Sequence, residues 1–142
     1  MLTIELVPKT SWFKNLRSDL PKEQWDKLRK QTYRNAKYHC EVCGGVGEEW
    51  PVECHEIWEY DDKNHNQILI GLIALCPSCH KVKHMGRAFA IGQAEESVGH
   101  LMEVNSWSEI TTFNYLKNVF HKWRTRSCHK WKVDISWALK TN

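Results

Sequence analysis

Hydrophobic positions recur with two different periods along this chain, and each period marks out elements. Residues 2–7 (LTIELV) alternate apolar and other positions, which predicts a short strand. Lys9–Ser18 reads as loop or a short helix. Ser18 is a candidate cap for a helix from about Leu20 to Tyr38, with Pro21 accommodated in its first turn. Its apolar positions, Leu20, Trp25, Leu28 and Ala36, are sparse, as on a surface helix. Val52–Tyr60 (VECHEIWEY) and Gln67–Leu75 (QILIGLIAL) read as two strands of a hairpin joined by the polar turn DDKNHN. Pro77 or Ser78 opens a helix to about Phe89, weakened near its end by Gly86. Beyond Gly92, Gln93–Met102 predicts a short helix. Ser108 caps a longer one to about Thr125, with Ile110, Phe113, Leu116, Phe120 and Trp123 as its apolar stripe. Lys130–Leu139 alternates strictly, with Trp131, Val133, Ile135 and Trp137 on one face of a half-buried strand. Residues 2–7 are its candidate partner. The expected class is α+β.

Composition narrows the picture. A chain of 142 residues, 42% hydrophobic and 26% charged, is ordinary globular material and reads as one domain, 1–142. It is too short for a two-domain dehydrogenase or a full (β/α)₈ barrel. Eight tryptophans point to a core built partly from large aromatics. The longest apolar run, Ile68–Cys76, is far below the ~18 residues of a membrane span. The first residues, MLTIE, lack the basic and apolar regions of a secretory signal, so the expectation is a cytoplasmic protein without a membrane partner.

Cysteine spacing carries chemistry. Cys40-x-x-Cys43 and Cys76-x-x-Cys79 are two pairs in a chain expected in a reducing compartment, where such pairs hold a tetrahedral zinc rather than disulfides. Each lies beside turn formers, Gly44-Gly45 and Pro77-Ser78. The 32 residues between the pairs must then be a folded excursion that returns to the metal. A redox use of the thiols would require a βαβ context that the pattern lacks. Cys54 reads as a small buried apolar residue and Cys128 as a free thiol.

Inside the bracket formed by the cysteines lie His55 and Glu56 on the first hairpin strand and His80 and His84 on the following helix. Histidines four apart project from one helix face and can share one metal ion, and His55 can add a third ligand from the strand. A zinc clamp would fix strand and helix against each other and so support this second site.

These residues together resemble a family. Cys40-x-x-Cys43, Val52-Glu-Cys-His55-Glu-Ile and Gly71-Leu-Ile-Ala-Leu-Cys76-Pro-Ser-Cys79-His80-Lys-Val-Lys-His84 look like an HNH endonuclease of the ββα-metal (His-Me finger) class with a four-cysteine zinc site. The resemblance covers about residues 38–88, leaving helical and strand flanks at 1–37 and 89–142. It implies a ββα core, a structural zinc on Cys40, Cys43, Cys76 and Cys79, and a catalytic magnesium or manganese ion held by His55, His80 and His84. The implied activity is metal-dependent hydrolysis, nicking or cutting, of DNA phosphodiesters. Two alignments of the first strand remain open. In one, His55 is the metal ligand and Glu56 the general base; in the other, Cys54 takes the ligand place and His55 is the base. Gly71 stands where many members carry an orienting asparagine, and Asn64 or Asn66 is the candidate replacement. A zinc-stapled DNA-binding module without catalysis is the alternative reading.

Net charge is only +3, but its distribution is uneven. The segment HKWRTRSCHKWK, residues 121–132, carries Lys122, Arg124, Arg126, Lys130 and Lys132 without an acid, and is the candidate DNA contact. Residues 22–37 are also basic. Neither segment has a base-reading signature, so recognition of backbone or DNA structure is expected rather than sequence readout. A homodimer would enlarge the contact surface.

Overall fold

The computed structural model describes residues 1–12 and 14–140. It is a mixed α+β fold in which one long hairpin carries helices on both faces. Strands β1 (Glu53–Asp61) and β2 (Asn66–Leu75) pair antiparallel, Glu53 opposite Leu75 and Asp61 opposite Asn66. The Asp61 carboxylate closes the turn by accepting from the backbone N–H groups of Lys63 and Asn64, both at 3.1 Å. The register slips at Ile70, since Ile57 faces Gly71 while Trp58 faces Leu69. This bulge puts Leu69 and Leu72, three apart, against the same apolar cluster.

A short strand β3 (Lys132–Asp134) lies parallel to β2, giving the order β1-β2-β3. Alternation over Lys130–Leu139 predicts a longer strand, but pairing stops at Asp134. Its carboxylate accepts from the Ser136 amide at 2.9 Å and turns the chain into helix α7 (Ser136–Lys140). Short polar side chains that bond nearby backbone compete with a ladder in this way.

One face of the hairpin carries α1 (Leu16–Asp19), α2 (Lys22–Asn35) and α7 around Leu16, Leu20, Trp58, Leu69 and Ala138. The other carries α3 (Pro77–Lys83), α4 (Met85–Ala90), α5 (Ala94–Asn105) and α6 (Glu109–Arg126) around Leu75, Val82, Met85 and Leu101. Ser18 sits within α1 instead of capping the next helix. Pro21 precedes α2, which ends before Lys37 and Tyr38, both left-handed with φ of 54° and 60°. α2 has no buried residue, in keeping with its sparse apolar pattern. The helix expected over 77–89 breaks at His84, not at Gly86. On α6 the apolar stripe starts late. Ile110 and Phe113 are exposed, while Tyr115, Leu116, Val119 and Phe120 pack inward. Among the tryptophans Trp58 and Trp131 are buried, whereas Trp12 and Trp50 are exposed.

Residues 2–7 form no strand. They run as an extended strap over α3, α5 and α6, with Leu2 and Ile4 buried. Their backbone is satisfied by other groups. The Leu2 amide donates to Asn105 Oδ1 at 2.7 Å, Ile4 to Tyr115 Oη at 2.8 Å, and Glu5 to the Lys83 carbonyl at 3.1 Å. No helix of the described residues is long and apolar enough to cross a membrane.

Candidate metal centres

The two cysteine pairs meet. Cys40 and Cys43 lie on the loop after α2, and Cys76 and Cys79 at the start of α3. All four sulfurs fall within 4.8 Å of one another. Cys43 Sγ is 3.7 Å from Cys76 Sγ. Two thiolates bound tetrahedrally at about 2.3 Å from one zinc would stand about 3.8 Å apart. Backbone N–H groups point at the sulfurs: Cys43 to Cys40 at 3.5 Å, Gly45 to Cys43 at 3.4 Å and Cys79 to Cys76 at 3.4 Å. His100 Nε2, from α5, lies 3.2 Å from Cys79 Sγ. Gly44 takes a left-handed φ of 77° to close the first loop. Gly47 lets that loop approach Pro77, whose ring would stand 2.7 Å from an added Cβ. The hydrogen bond between Cys40 and Cys79 pulls the Cys40 thiol down and pushes the Cys79 thiol up, so the two share one proton. Ionising all four sulfurs this close together builds up repulsion, which a divalent cation relieves. The cluster is therefore compatible with a structural metal ion such as zinc.

The second cluster lies where β1 meets α3. His55, from β1, is buried; His80, on α3, is partly buried; His84, at the break after α3, is exposed. One ring nitrogen from each falls within the same 4.8 Å. His80 Nε2 and His84 Nε2 are 3.1 Å apart. Two nitrogens about 2.1 Å from one ion would be about 3.0 Å apart at a right angle and about 3.4 Å apart at a tetrahedral one. The rings of His80 and His84 stand edge-on to His55, with centroids 5.2 and 5.3 Å away.

Two of these rings are held by carboxylates. His80 Nδ1 is 2.8 Å from Glu53 Oε1, and His55 Nε2 is 3.1 Å from Glu5 Oε2. Glu5 also accepts from the Trp58 amide at 2.9 Å, which anchors it to β1. A carboxylate on one ring nitrogen fixes the tautomer and leaves the other nitrogen as a lone-pair donor, the usual support of a metal-bound or base histidine. Desolvation pushes His80 down, against the pull of Glu53. Desolvation of the ring where it packs against its neighbours, then the His80 and His55 imidazoles themselves, lower His84 as well, although much of its side chain is exposed. Both imidazoles are thus neutral near pH 7, the form that binds metal. Comparison with known protein families, characterised proteins and solved structures finds no match to this chain.

The other candidate residues fall elsewhere. Glu56 lies on the opposite face of β1 from His55, where its Oε1 accepts from the Leu16 amide at 3.3 Å. Burial raises its pKa to about 7. Cys54 shares that face beside Thr32 and Tyr33, and burial pushes its thiol up to about 12. Asn64 is bound to Asp61 in the hairpin turn, and Asn66 pairs with Lys132 across β2 and β3. Neither is among the partners of the three histidines. The carboxylates that contact the cluster are those of Glu5 and Glu53.

The C-terminal basic residues divide. Arg126 makes two hydrogen bonds to Asp62, at 2.8 and 3.0 Å, and covers the Tyr60 ring at 4.3 Å. It ties the hairpin tip to α6. Lys122 and Arg126 line a groove of about 580 Å³ with His65, His129 and Trp131, and none of the three clustered histidines lines it. Arg124, Lys130 and Lys132 are exposed.

Proposed function

We propose that this chain is a metal-dependent endonuclease of the HNH, or ββα-metal, kind that hydrolyses DNA phosphodiester bonds. The observation that carries the reading is the convergence of His55, His80 and His84, two of them braced by carboxylates, beside a separate four-cysteine cluster. The order β1, β2, α3 supports it. In this reading Cys40, Cys43, Cys76 and Cys79 hold a structural zinc, and His80 and His84 hold a catalytic magnesium or manganese ion. Nitrogen ligands favour manganese. When bound, that ion supplies charge stabilisation at the scissile phosphate and its leaving oxygen.

His55 has a lone pair opposite the nitrogen that Glu5 engages. It either completes the ligand set or takes a proton from the attacking water; Glu5 favours the second role, because a partly buried carboxylate stabilises the imidazolium that proton transfer creates. Glu56 faces away from the cluster, so its use as a base would require a different arrangement of β1. His80 keeps its ligating nitrogen bare because Glu53 binds the other. Plasmid nicking tests the proposal. Wild type should convert supercoiled DNA to the open circle only with added manganese or magnesium. His55→Ala, His80→Ala and His84→Ala should each lose that activity at least about 100-fold while keeping their zinc. Wild-type rates in all three would contradict it.

A further inference from the structure

Two open grooves meet at the histidine cluster. One, of about 500 Å³, runs from Glu53, His80 and His84 past Lys81 and Arg87. The other, of about 720 Å³, shares Glu53 and His80 and is lined from α1 and α2 by Arg17, Trp25, Arg29 and Tyr33. Because Glu53 and His80 line both, the two form one trough with His80 at its middle and His84 in one arm. Its walls carry Arg17, Lys22, Arg29, Lys81 and Arg87 against two acids, Asp26 and Glu53.

Those acids are already engaged. Asp26 pairs with Lys22 and Arg29, each at 2.9 Å, and Glu53 holds His80. Arg17, Lys81 and Arg87 are exposed and form no ion pair among the described residues, so their charge faces the trough from either side of the histidines. Cations flanking a metal-binding centre suit a polyanion that crosses it. Trp25 and Tyr33 give one arm aromatic walls, on which an unpaired base can lie.

We propose that this trough takes a single DNA strand, with Arg17 meeting phosphates on one side of the histidines and Lys81 and Arg87 on the other. This rests on the nuclease reading for the position of the scissile bond, and it moves the substrate contact from the C-terminal basic segment to the surface beside α2, α3 and α4.

Fluorescence anisotropy of a labelled oligodeoxynucleotide, single-stranded and as its duplex, tests this with no divalent ion added. The variant Arg17→Ala/Lys81→Ala/Arg87→Ala should bind the single strand at least about tenfold more weakly, and its log–log salt slope should be shallower by about 2, since each phosphate contact on a single strand contributes about 0.7. Lys14→Ala/Lys63→Ala/Lys117→Ala removes the same charge elsewhere and should bind within about twofold of wild type. Zinc content and circular dichroism show that each variant is folded. Unchanged affinity in the trough variant, equal loss in both variants, tighter binding of the duplex, or loss only on changing Lys122, Lys130 and Lys132 would each overturn the proposal. Cleavage separates the two readings. If the trough variant loses binding but His55→Ala, His80→Ala and His84→Ala all nick like wild type, the trough stands and the nuclease reading falls. If His80→Ala is dead and the trough variant binds and nicks normally, the reverse holds.

Discussion

Glu5 reaches His55 from a part of the chain that the local sequence pattern does not connect to it, and its hydrogen bond to that ring sets which nitrogen stays free. Glu5→Gln keeps the size of the side chain and removes its charge. It should lower the nicking rate about 10- to 100-fold, the usual loss when an orienting carboxylate goes, with zinc content and thermal unfolding unchanged and partial recovery in Glu5→Asp. A wild-type rate in Glu5→Gln would remove it from the site. Glu56 behaves in the opposite way. Burial lifts its pKa from 4.5 to about 7, so the neutral acid is the form the fold prefers. Its contribution is therefore fully present below the ordinary value and is lost as pH rises through about 7. Between pH 5.5 and 8, Glu56→Gln should gain stability relative to wild type, by up to about 3 kcal/mol from a shift of that size, read by urea unfolding, and should keep most of its nicking activity. A shrinking gap, or lost nicking, would place Glu56 elsewhere. Part of this was legible in VECHEI: strand alternation places Glu53 and His55 on one face and Cys54 and Glu56 on the other. Glu5 carried no such signal, because only tertiary packing brings the strap to β1.

At the scale of elements, the strap and the C-terminal strand show what alternation can and cannot specify. The alternation at 2–7 marked Leu2 and Ile4 for burial, and they are buried. The partner lay beyond the pattern, since side chains of Asn105 and Tyr115 bind the strap's amides where another strand would have done so. Leu2 is fully buried against the helical core, so Leu2→Ala should cost about 2–5 kcal/mol in urea unfolding. A cost below about 1 kcal/mol would mean the strap is not part of the folded core. Lys130–Leu139 has the same lesson from the other direction. Its alternation continues past Asp134, but an acidic side chain that binds the Ser136 amide overrides it. The hairpin and the helix capped by Ser108 were readable to within a residue or two, because each has both a period and a terminator. The break at His84 has no sequence mark of its own.

For the molecule as a whole, two clusters with different donors share one element, α3. The sulfur cluster joins the loop before β1 to α3, and the imidazole cluster joins β1 to α3 and the break that follows it. Cysteine spacing and the i, i+4 histidines exposed both sets in the sequence, since ligand spacing is a local property; the bracing carboxylates and the trough depend on packing and were not readable. Cys76→Ser should lose the zinc and unfold or aggregate, because metal binding at such a site is folding free energy, and a well-folded, zinc-free variant would contradict a structural role. The proposed function requires a second metal site, independent of the first. Electron paramagnetic resonance of a manganese titration detects it. Wild type should bind one manganese ion per chain with its zinc retained, and His80→Ala and His84→Ala should retain zinc but bind manganese at least about tenfold more weakly. Wild-type manganese affinity in both variants, or loss of zinc along with manganese, would contradict it.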